Sequence, residues 1–420
     1  MAISRRQFLA STAIAAGAAA CGPTPGGTPP AGDRAAAPAA GAAGGTTTDP
    51  LGVRADFPMA SDRTYLNAAY ITPVPREVVT AGQAFVESKA VRPISLGDML
   101  KKTDEVRAQY ARLIGATPEE VGFLFSTSEG ENVVANALDL AKGDNVVIDA
   151  LHYETEFVLY QHLQETRGVE LRVAPHRDGR VDPSDIEPLV DARTKLVSVA
   201  WVSHQNGFRH DMRAIADIAH GRGALFYADG IQAVGMFPVD VKAEGVDVMC
   251  AGTYKWLLGS FGVAPFYVRK DLLDRIRLDR FGALHVERQR PDGGFDLYQT
   301  AKRFDYSTLP FGEVYQLGAG LAYLERVGVD RIETHTVALA HELRAGLVSQ
   351  GYRLFTPEDN RSSIVTYFTS RPAAELTEAF ARAAIDVTVR GALGQVRVSP
   401  ALYNTRDDIA RFLEVTRGLA

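Results

Sequence analysis

Short, nearly all-apolar runs recur along the middle of the chain, separated by stretches with helical spacing of apolar residues. Asn145–Asp149, Lys195–Ser203, Ala224–Ala228, Asp247–Ala251 and Gly262–Val268 read as strands, with Glu154–Thr166 and Met212–Gly221 as helices between them. Strands that are apolar on both sides need cover on both faces, so the pattern predicts a largely parallel sheet sandwiched by helices. Near Pro310 the period changes. Gly312–Arg326 predicts a long helix, followed by an α+β stretch to the C-terminus, and no internal repeat is apparent. The expected fold class is α/β: a large, mostly parallel sheet domain over 56–311 and a smaller α+β domain over 312–420. The N-terminal part of the body is expected near the small domain, and the functional cleft between the two.

The first 55 residues follow another pattern. Ser4-Arg5-Arg6-Gln7-Phe8-Leu9 leads into an Ala-rich apolar run ending at Cys21. Charge, a short apolar core and then small residues is the layout of an export signal, too short to span a bilayer stably. The Ser-Arg-Arg-x-Phe-Leu string resembles a twin-arginine signal, which is read by a translocase of folded proteins, so residues 1–20 are expected to be removed. Ala18-Ala19-Ala20-Cys21 resembles a lipobox without its usual leading Leu. That resemblance makes Cys21 a lipid anchor; plain cleavage near Ala20 is the alternative. From Gly22 to Pro50 only Asp33, Arg34 and Asp49 fall outside Gly, Ala, Pro and Thr, so residues 21–55 are expected to form a linker with little to bury. Together these features predict export to the periplasm or cell envelope, with membrane contact only through an N-terminal lipid.

Composition narrows the function classes. With 46% apolar and 23% charged residues the chain is built to fold, and a net charge of −6 gives no reason to expect nucleic acid as a partner. Two cysteines make neither a disulfide framework nor a four-cysteine zinc site, and the nine histidines show no His-Glu-x-x-His spacing, so no metal is expected. No Gly-x-Gly-x-x-Gly or Walker-type loop follows a predicted strand.

Two strings carry chemistry. Gly223-Ala-Leu-Phe-Tyr-Ala-Asp229-Gly-Ile-Gln232 places a carboxylate at the C-terminal end of a buried strand, where open α/β sheets bind ligands. Met249-Cys-Ala-Gly-Thr253-Tyr254-Lys255-Trp256 sets a lysine in the turn after another strand. A lysine that forms a Schiff base and a carboxylate that keeps a pyridine nitrogen protonated are what a pyridoxal aldehyde cofactor requires. Taken singly, a strand-end Asp also serves as a cap and a lone Lys as a surface charge; the ordered set of matches is what points to chemistry.

With these strings the chain resembles the class V aminotransferase family of fold-type I pyridoxal-phosphate enzymes, over about Tyr65 to Leu419. Thr64-Tyr-Leu-Asn67-Ala-Ala-Tyr70 looks like the family's opening motif, and the resemblance makes Asn67 a substrate-side residue. Phe123-Leu-Phe-Ser-Thr127-Ser128-Glu129 looks like its phosphate loop, with Thr127 and Ser128 as ligands; read alone, it is also a helix capping box. His152-Tyr153 falls where the family stacks a ring on the cofactor, with Tyr153 the better placed and His152 second. His204 stands where the family commonly has Asn. The resemblance makes Asp229 the pyridinium partner, Gln232 the phenolic-oxygen ligand, Lys255 the Schiff-base lysine and Tyr254 a phosphate donor. Arg303-Phe-Asp-Tyr-Ser307-Thr308 resembles the stretch whose Thr reaches the other subunit's phosphate, which implies a homodimer. Arg390 and Arg397 match two family arginines, the second as the substrate-carboxylate clamp.

One departure narrows the reaction. Desulfurases of the family carry a nucleophilic Cys in a loop between these arginines, whereas here Gly391-Ala-Leu-Gly-Gln395-Val396 has none. Chemistry at the α-carbon of an amino acid is therefore expected to be transaminase-like first, with C–S/C–Se lyase or epimerase as the alternatives. A degenerate pyridoxal-phosphate-binding lipoprotein is the non-enzyme alternative.

Overall fold

The computed structural model describes residues 49–420, so the twin-arginine string and Cys21 lie outside the described residues. The body begins before residue 56. Asp49 accepts hydrogen bonds from the N–H groups of Gly52 and Arg54, and the Arg54 guanidinium donates to both Asp408 oxygens and to the carbonyls of Ala60 and Tyr403. Residues 49–55, expected in the linker, are instead pinned to the C-terminal helix by a charge-assisted fork.

After the two-residue strand β1 (Thr64–Tyr65) come helices α1 (Arg76–Val91) and α2 (Leu96–Leu113). The main sheet then forms from β2 (Val121–Leu124), β3 (Asn145–Asp149), β4 (Glu170–Ala174), β5 (Thr194–Ala200), β6 (Leu225–Asp229), β7 (Val248–Cys250) and β8 (Ala264–Val268). Helices α3 (Thr127–Ala137), α4 (Glu154–Arg167) and α5 (Met212–His220) connect them. The strand order is β2-β8-β7-β6-β5-β3-β4. All neighbours are parallel except β8, which runs antiparallel to both β2 and β7.

Alternation along these strands explains the two-sided burial. Val147, Val197, Phe226, Ala228 and Met249 enter one core; Val146, Ile148, Leu196, Leu225, Tyr227 and Val248 enter the other. Side chains of successive strand residues point to opposite faces, so a run that is apolar throughout serves both layers. At the C-terminal edge of this sheet the loops after β3, β5, β6 and β7 converge, and the site is built there.

A hairpin, β9 (Val286–Gln289) with β10 (Phe295–Leu297), precedes helices α6 (Phe311–Val327) and α7 (Val329–Ser349). Helix α6 packs on α1 and α2. The C-terminal part has an antiparallel sheet in the order β11 (Val365–Phe368), β14 (Gln395–Val398), β13 (Thr388–Arg390). Helices α8 (Ala373–Arg382) and α9 (Arg406–Arg417) complete it. Strand β1 pairs with β12 (Ile385–Asp386), and Leu66 joins the core under this small sheet. That pairing carries the Asn67 motif to the arginine-bearing strands.

Candidate active site

A cavity of about 150 Å³ opens at the C-terminal ends of β5, β6 and β7. Among the residues lining it are Thr127, Ser128, Tyr153, His204, Asp229, Gln232, Tyr254 and Lys255. Eight positions proposed from the sequence as cofactor contacts are thus brought to one place.

Lys255 sits in a tight turn. The Leu258 N–H returns to the Lys255 carbonyl at 3.0 Å and the Gly259 N–H to the Thr253 carbonyl at 2.9 Å. Leu258 holds a left-handed φ of 58°, a conformation that costs energy for a side-chain-bearing residue. The turn is pressed from behind: a Cβ on Gly235 would lie 2.4 Å from the Trp256 carbonyl oxygen, so only glycine fits there. The Lys255 ammonium is buried. Burial first, and then the Arg397 charge, push its pKa down to about 7 against the pull of Asp229. Near pH 7 about half of this amine is therefore a free nucleophile, far more than for an ordinary lysine.

Asp229 ends β6, 4% exposed, and accepts the Ile231 N–H at 2.9 Å. Burial raises its pKa to about 6, while the Ile231 N–H and Lys255 oppose the rise. Gln232, one turn on, has its amide committed to the framework: it donates to the Ala69 carbonyl and accepts from the Trp256 indole, both within 2.9 Å. It fixes the Asn67 segment against the lysine turn as well as facing the cavity.

Helix α3 starts at the opposite wall. Ser126 is its N-cap, accepting the Glu129 N–H, whereas the Glu129 carboxylate turns to the Phe125 N–H and to Arg280. This is a cap without the reciprocal half of a capping box. Thr127 Oγ1 accepts the Gly252 N–H at 2.9 Å, tying the helix start to the lysine segment, and Ser128 donates to Thr155. First-turn N–H groups and hydroxyls here form an anion site.

Of the two ring candidates, Tyr153 lines the cavity and His152 does not. His152 is fully buried, its Nδ1 accepting the Tyr153 N–H at 2.8 Å and its Nε2 3.0 Å from Ser198 Oγ. Burial drops its pKa to about 3. Tyr153 meets the His204 ring edge-on at 5.1 Å.

His204 organises the substrate side. Its carbonyl accepts from Arg397 Nη1 at 2.8 Å and from Arg390 Nη2 at 3.1 Å. Arg397 also donates to Thr388 Oγ1, which in turn donates to Asn67 Oδ1 at 2.6 Å. Both guanidiniums are buried, and Arg397 Nε lacks a partner. The His204 ring lies 3.5 Å from Glu154, with burial taking its pKa to about 4. Burial works against the Glu154 charge, yet His204 and Arg390 hold that carboxyl at about 2. Thr308 is exposed on this single chain and stands outside the cavity lining.

Sequence reasoning missed Glu131, Glu154 and Glu156. Glu156 lines the cavity beside Thr155, Glu154 stands outside the lining on the other side of Thr155, and Glu131 is fully buried. The signal was present: Glu156 shares a helix face with Tyr160 and Leu163, an acid at a core-facing position. Cys250 is buried with its thiol pushed up by burial, and its Sγ faces the Ser126 carbonyl.

The residues fit pyridoxal phosphate. A buried lysine held near 7, a strand-end carboxylate and a helix start with free donors share one cavity, and two atoms of lining residues, His204 Nδ1 and Glu156 Oε2, have no partner among the described residues.

Comparison with known proteins agrees. The family described as aminotransferase class-V matches residues 64–412. A probable cysteine desulfurase of Methanothermobacter thermautotrophicus is 33% identical over 325 residues, covering 75% of this chain and 80% of the relative. An uncharacterized aminotransferase, YcbU, of Bacillus subtilis is 27% identical over 359 residues, 85% of this chain and 95% of that one. Among solved structures, the apo cysteine desulfurase from Thermococcus onnurineus NA1 superposes with a TM-score of 0.81 at 26% identity, covering 89% of this chain and 98% of that one. The chain belongs to the class-V aminotransferase family and is a pyridoxal-phosphate-dependent enzyme of fold type I.

Proposed function

We propose that this enzyme is a C–S or C–Se lyase acting on an amino acid, rather than the transaminase expected first from the sequence. The observation that carries this reading is that the relatives described above include enzymes named as cysteine desulfurases. The absence of a thiol shapes it. Gly391–Gly394 closes a short turn between β13 and β14 with Arg390 paired to Gln395, and it holds no cysteine. Cys250 is buried with a raised pKa. A sulfur leaving group would therefore depart to solution instead of onto the protein.

Each residue has a role in this reading. Thr127, Ser128 and the α3 N–H groups would hold the phosphate, Asp229 would keep the ring nitrogen protonated, and Tyr153, Gln232, His204 and Tyr254 would contact the ring. Arg397, set by Thr388 and Asn67, clamps the substrate carboxylate, with Arg390 beside it. When bound, the cofactor supplies an electron sink for the α-carbon. Lys255, whose pKa burial lowers to about 7, takes the α-proton on its Nζ in its neutral form. The buried walls exclude water from that transfer.

The test is a panel of amino acids assayed in parallel for pyruvate with sulfide or selenide, for keto acid without them, and for loss of chirality. The lyase reading expects the first. Keto acid formation with amino-group transfer to an acceptor would restore the transaminase reading, and Lys255→Ala abolishes all three activities. The proposal extends to export through the twin-arginine route and to a homodimer in which Thr308 reaches the partner's site. Cell fractionation of the wild type against an Arg5→Lys/Arg6→Lys variant tests the first; light scattering tests the second.

A further inference from the structure

Beneath the cavity lies a layer of buried polar groups that the proposed reaction does not use. Glu131 on α3 is fully buried; its Oε1 accepts from the Tyr160 hydroxyl, while its Oε2 has no partner. Glu156 on α4 is 1% exposed, lines the cavity, and its Oε2 is also unpartnered. That Oε2 lies 3.8 Å from His152 Nδ1. A backbone N–H can only donate, so Nδ1, which receives the Tyr153 N–H, presents a lone pair. An ionised Glu156 would thus face another acceptor across a dry gap, whereas a protonated one faces it without repulsion. Among the described residues no lysine or arginine makes an ion pair with either glutamate, in contrast to Glu129, two residues before Glu131, which pairs with Arg280.

We propose that Glu131 and Glu156 are positioning residues that hold protons beneath the cavity, so that its floor carries the single negative charge of Asp229 when the cofactor binds. Three carboxylates this close in a low-dielectric layer cannot all ionise. Burial, first, raises Glu131 to about 8; burial, then Glu131 and Asp229, raise Glu156 well above its ordinary value. The cofactor arrives with a phosphate of roughly −1.5 to −2 charge and at most one positive ring proton, so extra negative charge in the floor opposes it. The linkage has one sign. Binding raises the proton affinity of the pair further, so the pair's contribution to cofactor affinity is present below about pH 8 and is lost as pH rises through the titration that begins with Glu131.

The other groups facing this layer titrate elsewhere. Asp229 on β6 lies at about 6, Lys255 at about 7, Glu154 at about 2 and His152 at about 3. Tyr160, Tyr227 and Cys250 are pushed far up by burial. Glu131, at about 8, is therefore the first of the pair to give up its proton as pH rises. The inference is independent of which reaction the enzyme runs.

The experiment measures pyridoxal phosphate affinity by quenching of tryptophan fluorescence, on apoprotein between pH 7 and pH 10. It compares wild type with Glu131→Gln, Glu156→Gln and the double variant, which keep shape and remove the proton. The wild type is expected to lose up to about tenfold in affinity per pH unit above pH 8, the limit for one linked proton. The double variant is expected to show a shallower loss there. A wild type without this loss, or variants with the same slope, overturns the proposal. If the variants do not fold, infrared difference spectra of the wild type serve instead: a protonated-carboxyl C=O band must be present at neutral pH and weaken as pH rises past about 8, where Glu131 titrates, and its absence at neutral pH refutes the idea. Loss of lyase activity with this pH profile intact would count against the reaction assignment alone.

Discussion

Asp305 offers a sharp test of how the segment leading to Thr308 is held. Its carboxylate is 3% exposed and accepts from Arg107 Nη2 at 2.6 Å and from the Phe123 N–H at 2.6 Å. Arg107, equally buried, donates to the Val121 carbonyl at 2.6 Å, and its guanidinium carbon lies 4.9 Å from the Phe123 ring centroid. Removing Asp305 leaves the buried Arg107 charge with only the half-exposed Asp104 carboxylate, 3.3 Å from its Nε, as counter-ion. Asp305→Ala should therefore cost about 3–5 kcal/mol, more than the pair itself contributes. Asp305→Asn, which keeps an acceptor for the Phe123 N–H but not the charge, should cost less, by about the 1–3 kcal/mol of one unsatisfied group. The double change Arg107→Met/Asp305→Leu should recover part of the loss, because a desolvated ion pair competes poorly with an apolar one of similar volume, while the Phe123 N–H and Val121 carbonyl lose their partners. Equilibrium urea unfolding of the holoenzyme, with slope and midpoint both recorded, gives all three values. A cost below about 1 kcal/mol for Asp305→Ala, or a double variant no better than the single, would show that the pair is not dry in solution and would refute this account.

Two other outcomes follow from the site. Because Lys255 is held near 7 instead of 10.5, the rate at which apoprotein captures pyridoxal phosphate should rise through about pH 7 and level off above it; a rise continuing toward pH 10, seen by stopped-flow absorbance, would contradict the burial argument. Arg397→Lys keeps the charge but not the fork that spans the His204 carbonyl and Thr388, so KM for the amino acid should increase about tenfold or more, from about 1.5–3 kcal/mol per charged hydrogen bond, with a smaller change in kcat.

Much of the sheet was legible because its strands are apolar throughout, which only a two-sided layer explains. Strand direction was not. Nothing in the residues of β8 distinguishes an antiparallel neighbour from a parallel one, since both bury both faces. Position along a motif identified Lys255 and Asp229, and strand and turn geometry then delivered both to one cavity. Parity decided between His152 and Tyr153: one residue further along, the side chain faces the cavity instead of the core. Arg54 was read as part of the linker because its partner, Asp408, lies 354 residues away, beyond any local pattern. The buried glutamates escaped for a similar reason. A Glu in the first turns of a helix suits the dipole and reads as solvated, and only the packing of α3 and α4 against the sheet shows that Glu131 and Glu156 are dry.

The join between the arginines and His204 has a further consequence. Arg390 and Arg397 extend from the small sheet, yet the atom they share is a main-chain oxygen in the loop after β5. A peptide carbonyl is present whatever side chain the residue bears. Residue 204 can therefore change identity, and with it the chemistry offered to the cavity, while the alignment of the two guanidiniums stays fixed. The anchoring of the carboxylate clamp and the ring presented to the cavity thus rest on different atoms of one residue, so the side chain at 204 can be exchanged without rebuilding the clamp.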